Sequence, residues 1–401
     1  MIRTVLTLLW LSLLQLPLAA APLFPSQPQS DRLAALDAFW AGWKQTYLRT
    51  GCGGAYVDTS GDEKPTWGGS ATDTLTVSEA HGYGMLALVN MAPRDPAAQA
   101  QFAAMVSFYN AHPAGSGAGL MAWNQTRDCR DAADGGEMSA TDGDLDTALA
   151  LYLADRKWGG YRQAFDRAQT AILERDVTED GMMRLGDWAV EGAYAHASRS
   201  SDFMPASFAA FAGAAGDQSA RWSAIQDRGY RVWGRISEDY AEDTGLVPDF
   251  LVGLPDKPRP AEAFFLEGAG DGQFSWNALR FPWRLSLDFL ETNDARAAAH
   301  LKVINRWIRK ATGDDPSQIA TSCRLDGSIP EDQSTGAAAF IAIFSAAAIA
   351  GSGDLEGDQR WIDALWSALA AIPIEDEDYY GNTLKLLAMI ELAGLWDEGP
   401  D

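Results

Sequence analysis

Apolar residues in this chain recur at intervals of three and four, the period of a helix with one face turned inward. The pattern predicts twelve helices, near residues 31–48, 79–91, 96–111, 144–157, 160–173, 202–214, 218–239, 282–292, 294–311, 335–350, 357–371 and 382–396. In 144–157, Leu145, Ala148, Leu149, Tyr152 and Leu153 form one stripe, while Asp146, Arg156 and Lys157 lie off it. Ser78 reads as the N-cap of the second helix. Alternating runs of Val, Ile and Thr, which would announce strands, are scarce. Connections alternate between short and long. The long ones (49–77, 112–143, 174–201 and 240–281) are rich in Gly, Asp, Trp and Pro, and loops above about fifteen residues in a compact domain are usually functional. Six helical hairpins with elaborate loops at one end predict an all-α fold, an (α/α)6 barrel. No linker composition follows residue 30, so residues 22–401 read as a single domain.

Residues 1–21 break the pattern and read as an export signal. Arg3 supplies the basic start, Val5 to Leu18 the apolar stretch and Ala19-Ala20-Ala21 small residues for cleavage, although Pro22 disfavours a cut directly after Ala21. The stretch is too short to span a membrane comfortably and holds Gln15 and Pro17. The expectation is a secreted or periplasmic protein with no membrane attachment after cleavage. The net charge of -24 argues against nucleic acid and anionic membranes as partners, while permitting a polycationic ligand. Of three cysteines, Cys52, Cys129 and Cys323, one pair can close a disulfide in an oxidising compartment, with the partners left open. A monomer is expected.

Two helix starts carry the candidate chemistry. Ser139-Ala140-Thr141-Asp142-Gly143-Asp144-Leu145-Asp146 sets three carboxylates at alternate positions ahead of a helix, and Ser78-Glu79 sets another on a first turn before Gly82-Tyr83-Gly84-Met85. Two such starts facing each other would gather acids from distant parts of the chain in one cleft, the minimum equipment for cleaving a glycosidic bond. The spacing of Asp142, Asp144 and Asp146 also imitates a calcium loop. Thr147 stands where that loop needs Gly and Leu153 where it needs Glu, so calcium is rejected. Asp144 and Asp146 then read as charges that cap the helix start. The four histidines are scattered, and no HExxH, GxSxG or phosphate-loop pattern is present. No metal or cofactor is expected. His81, near Glu79, reads more readily as a structural histidine than as a pH tuner.

Several blocks in order along residues 35–397 resemble glycoside hydrolase family 8. They are Ser78-Glu79-Ala80-His81-Gly82-Tyr83-Gly84-Met85, Leu120-Met121-Ala122-Trp123, residues 139–146 with Lys157-Trp158-Gly159, Leu185-Gly186-Asp187-Trp188, Ser200 to Met204, Leu246 to Phe250 and Pro282-Trp283-Arg284. The resemblance implies an (α/α)6 barrel and inverting, endo-acting hydrolysis of β-1,4-linked glycans. It makes Glu79 the general acid and places Asp142 beneath the sugar at the cleavage point. The family's usual base is an Asp in a block that here reads Trp276-Asn277-Ala278-Leu279-Arg280-Phe281-Pro282-Trp283-Arg284. An amide is no base. The departure resembles a branch in which a loop Glu serves, and Glu267 in Phe265-Leu266-Glu267-Gly268 is the candidate, with Asp271 and Glu262 as competitors and Asn277 helping to hold the water.

Aromatic residues in matching loops, Trp123, Trp188, Trp276 and Tyr379 or Tyr380, are the expected sugar platforms. Arg280 is expected to hold a catalytic carboxylate or a sugar hydroxyl, against the plainer reading of a salt bridge. Trp158, Trp222, Trp233, Trp307, Trp361 and Trp366, at helical spacing, read as core. The leading expectation is an endo-β-1,4-glucanase acting on cellulosic or mixed-linkage glucan. One alternative is a chitosanase whose loop acids Glu262, Asp271 and Asp131 read an amine. A second is a glycan-binding protein of polysaccharide export without turnover, for which Asn277 is the sole support.

Overall fold

The computed structural model describes residues 21–62, 73–331 and 333–396; residues 1–20 of the expected export signal lie outside the described residues. Twelve α-helices follow in order: α1 (Gln29–Tyr47), α2 (Ser78–Met91), α3 (Ala98–Ala111), α4 (Thr141–Trp158), α5 (Arg162–Arg175), α6 (Pro205–Ala214), α7 (Ser219–Tyr240), α8 (Arg280–Thr292), α9 (Ala295–Thr312), α10 (Ala338–Ala347), α11 (Leu355–Ala371) and α12 (Tyr379–Leu392). The even-numbered helices touch in a closed ring, α2 against α4, α4 against α6, and so on round to α12 against α2. Each odd helix packs outside an even one, with α1 on α12 closing the outer layer. This is the (α/α)6 barrel.

The two layers differ as their sequences require. Inner helices α10 and α12 are enclosed on all sides, with every residue buried. Outer helices bury one stripe, in α7 Trp222, Ile225, Gly229, Val232, Trp233 and Ile236. Trp222, Trp233, Trp361 and Trp366 are core residues, as their helical spacing predicts. Boundaries shift where local chemistry overrides periodicity. Pro205 starts α6, later than the pattern suggests, because proline suits a first helical turn, where its missing N–H is not needed. The ends of α4 move outward to include Asp142, because its backbone is already helical there.

Each inner helix is entered through a connection at the same end of the barrel, so all six inner N-termini face one way. The entries before α2, α4, α6 and α8 carry short strands that the sparse β pattern did not predict. They are β1 (Leu48–Gly51) with β2 (Gly54–Val57), β3 (Thr74–Val77) with β6 (Asn124–Thr126), β4 (Pro113–Ala114) with β5 (Gly117–Met121), and the sheet β7–β8–β9 (Ala197–Arg199, Phe250–Val252, Arg259–Pro260), all antiparallel. Pieces of two to five residues are too short for period two to emerge. Cys52 and Cys129 form the disulfide, joining the β1–β2 turn to the loop before α4, and Cys323 is a buried thiol. Among the described residues no helix is long and apolar enough to cross a membrane.

Candidate active site

Glycine brings the two acidic helix starts together. A Cβ on Gly143 would lie 2.5 Å from the carbonyl carbon of Ser78, and one on Gly82 would lie 2.7 Å from Cβ of Asp146. Real Cβ atoms do not approach that closely, so α2 and α4 can pack this tightly only with glycine at both positions. The pairing of β3 with β6 ties the same region from outside: Ser78 N–H donates to the carbonyl of Trp123 at 2.9 Å. Ser78 is therefore not the side-chain cap the sequence suggested. It already lies in the first turn, its hydroxyl caps no backbone N–H, and Val77 takes the cap position.

Between α2, α4 and α8 lies one guanidinium. Arg280, on the first turn of α8 and 2% exposed, donates from Nη1 to Glu79 Oε2 at 2.6 Å, to Asp142 Oδ2 at 2.8 Å and to the Tyr83 hydroxyl at 3.2 Å. Its Nη2 donates to Asn277 Oδ1 at 2.8 Å. Asn277 Nδ2 in turn donates to Glu267 Oε2 at 2.7 Å. An unbroken polar line thus runs Glu79–Arg280–Asn277–Glu267. Asp142 lies beside Arg280. Arg280 thus bridges two carboxylates.

The two acids at Arg280 titrate in opposite directions. Burial raises the Glu79 carboxyl to about 7 against the pull of Arg280, and the nearby Asp142 anion adds to the rise. Glu79 Oε1 is buried with no protein donor, so the anion would be only half solvated, which favours the protonated form. Burial would also raise Asp142, but Arg199 and Arg280 together, with the Gly143 N–H on Oδ1 at 2.9 Å, hold it down to about 2. One acid is poised to keep a proton and its neighbour to stay charged, the division of labour that glycoside cleavage needs.

Glu267 stands on the loop between β9 and α8, its side chain 35% exposed. Asp271, one competitor for its role, is buried and accepts the backbone N–H groups of Leu266, Glu267 and Gly268 at 2.7, 3.0 and 2.8 Å. Its carboxylate builds the loop that presents Glu267. Glu262, the other competitor, is exposed. A small second core of Leu185, Ala189, Ala197, Phe250, Val252 and Ala261, flanked by Trp188, Tyr194 and Phe265, supports this loop from below.

The expected sugar platforms fall into two groups. Trp276 is 47% exposed beside Phe340 and Tyr380, and Trp123 and Trp188 are half-buried. Tyr379 is fully buried against Tyr47, whereas Tyr380 donates its hydroxyl to the Trp276 carbonyl at 2.9 Å and so fixes that platform. His81 is buried against Phe108 with Nε2 at 3.0 Å from the Met105 carbonyl, and burial pushes it down to about 3, so it is neutral and structural.

Two readings of the acidic run are corrected. Asp144 accepts the Met121 N–H at 2.8 Å, and Asp146 forms a buried two-pronged pair with Arg284 at 2.7 and 2.6 Å. Neither caps the helix, and all three carboxylates of the calcium-like spacing have other partners. Sequence reasoning also assigned no part to Arg199 or Asp249, and read Asp271 as a competing base rather than as the residue that shapes the loop. The partners of Arg199 and Asp249 lie in other loops, whereas those of Asp271 lie in its own loop.

The family model for Glycosyl hydrolases family 8 matches residues 29–394. A protein named Beta-glucanase from Niallia circulans is 38% identical over 377 residues, 92% of this chain and 86% of that protein. One named Endoglucanase from Bacillus sp. (strain KSM-330) is 29% identical, over 90% of this chain and 76% of its own length. Among solved structures, the apo Beta-1,3-1,4-glucanase from Paenibacillus sp. X4 superposes with a TM-score of 0.85 at 37% identity, covering 94% of this chain and 96% of that one. Rex8A from Paenibacillus barcinonensis, at 18% identity and a TM-score of 0.74 over 93% of this chain and 95% of its own, shares the fold. With the barrel, the ordered sequence blocks and a matched span that takes in every candidate residue, the chain belongs to glycosyl hydrolase family 8.

Proposed function

We propose that this glycoside hydrolase is an endo-acting β-glucanase that inverts the anomeric carbon, with Glu79 as general acid and Glu267 as general base. The observation that carries the reading is the line Glu79–Arg280–Asn277–Glu267. The two carboxyl groups do not touch; two planar hydrogen-bonded groups separate them, which leaves space for a water on the far side of the sugar, as inversion requires. Glu79, protonated near neutrality, gives its proton to the leaving oxygen as the bond to the anomeric carbon breaks. Glu267 takes a proton from the attacking water. Asp142, fixed as an anion, offsets the positive charge that develops on the ring.

Asn277 fits a base on the loop. An aspartate there would face Glu267 across 2.7 Å, and two carboxylates that close cannot both ionise. The amide instead donates to Glu267 and accepts from Arg280, so it orients the base and stays neutral.

The names of the relatives, Beta-glucanase, Endoglucanase and Beta-1,3-1,4-glucanase, favour β-glucan, and mixed-linkage glucan in particular. The export signal in residues 1–21 would place the enzyme outside the cytoplasm, where such polymers are met. The test is release of new reducing ends from mixed-linkage β-glucan, carboxymethyl-cellulose and chitosan by wild type. Cleavage of mixed-linkage glucan without chitosan is expected. Cleavage of chitosan alone would replace the substrate, and silence on all three would overturn the reading.

A further inference from the structure

The base assigned above sits on an exposed loop, whereas the acid sits on the first turn of a buried helix. A loop glutamate has several rotamers, and a displacement of about 1 Å in a reacting group can cost on the order of a hundredfold in rate. Something must hold both of its oxygens. Asn277 holds Oε2. At Oε1 the donor is Arg199, whose Nη2 lies 3.3 Å away.

Resting on the assignment of Glu267 as base, we propose that Arg199 is the positioning residue of this reaction. It fixes the second oxygen of Glu267 and ties the base to Asp142 across the cleft.

The placement of Arg199 is built for this. Its side chain is 11% exposed and ends the strand β7. Its guanidinium lies over the Phe250 ring at 5.4 Å, and Phe250 is its direct partner on β8. Nη1 faces Asp142 Oδ2 at 3.8 Å and Asp202 Oδ1 at 3.9 Å. One residue sets the register of both arms that grip Glu267. The Asp249 carbonyl accepts the N–H of Ser200, next to Arg199, at 3.0 Å, while the Asp249 carboxyl accepts the N–H of Asn277 at 3.1 Å, with those of Ser275 at 3.0 Å and Ala278 at 2.6 Å. Movement of either arm would break contacts to the same buried aspartate.

The charges around Arg199 also suit the task. Asp142, Asp202 and Glu267 face it as acids, Arg280 is the neighbouring cation, and Glu79 feels its field. A cation among these groups favours the ionised form of those that must act as anions. A structural salt bridge would pair Arg199 with one carboxylate in a closed contact. Here three carboxylates share it at 3.3 to 3.9 Å, and the one directly hydrogen-bonded to it is Glu267.

The experiment is a double-mutant cycle on mixed-linkage β-glucan with Arg199→Gln, Glu267→Gln, both together and Arg199→Lys, with melting midpoints alongside. Arg199→Gln is expected to lower kcat about a hundredfold and to move the acid limb of kcat/KM to higher pH. Arg199→Lys should recover part of the rate and most of the limb. In the Glu267→Gln background, losing Arg199 should cost little more, because a residue that acts through the base has nothing left to act on. Full, additive loss in the double variant, or a wild-type pH profile and rate in Arg199→Gln, would overturn the proposal. If Arg199→Gln fails to fold, Arg199→Lys decides: a kcat lowered in the wild-type background but hardly changed in the Glu267→Gln background supports the role, and a wild-type kcat refutes it. Wild-type turnover by Glu267→Gln is a separate result that would remove the base assignment and this inference with it.

Discussion

Helices α4 and α8 are joined by two arginine–aspartate rungs one turn apart, and only one of them is open. In the lower rung Arg284 meets Asp146 in a two-pronged pair with both groups out of solvent. In the upper rung Arg280 is divided among Glu79, Asp142, Tyr83 and Asn277. The residue types and the four-residue spacing on each helix are the same. A closed pair satisfies its charges and fixes the helices. A shared one leaves carboxylate oxygens incompletely paired, and so leaves acids whose protonation can change during a reaction. The lower rung holds the barrel, and the upper rung carries the proposed chemistry.

Mutations should separate the two. Glu79→Gln removes the proton donor and should lower kcat by roughly ten thousandfold with the melting midpoint unchanged. Arg284→Met should do the reverse. It strands the Asp146 charge in the interior and should cost about 3–5 kcal/mol of stability, read by denaturant unfolding, while the molecules that remain folded turn over near the wild-type rate. Adding Asp146→Leu should restore most of that stability, since an apolar pair can replace a buried ion pair. A Glu79→Gln protein that unfolds, or an Arg284→Met protein that is stable and inactive, would collapse the distinction.

Smaller effects sharpen it. As the proposed general acid Glu79 must carry its proton, and its carboxyl is raised to about 7. The rate kcat/KM should therefore be present below that pH and fall as pH rises through about 7. Asp142, held at about 2, stays charged throughout and sets no limit in this window. A falling limb near pH 4 to 5, where an unperturbed glutamate titrates, would mean that Arg280 overrides burial at Glu79.

Much of this architecture was readable in the sequence because helices report themselves locally. All twelve appear near where the three-four spacing puts them, and the Ala-rich stretch from Gly336 to Ala350 contains the inner helix α10. The strands were not readable, because β4 and β9 are two residues long and owe their form to tertiary pairing. At the site, Glu79, Asp142, Asn277 and Arg280 stood in recognisable blocks. Arg199 and Asp249 act through partners 68 and 28 residues away, and sequence spacing carries no record of such contacts across loops. The reading of Asp146 as a helix-start charge failed for a related reason: its partner is Arg284, 138 residues on.

In the proposed reaction an acid on α2 works across a water against a base on the loop. Proton NMR of mixed-linkage β-glucan during its first minutes of hydrolysis tests this most directly. With inversion, the new reducing ends appear first as the α-anomer and then mutarotate. First appearance of the β-anomer would mean a covalent glycosyl intermediate and two displacements, and would contradict the arrangement of Glu79 and Glu267 argued here.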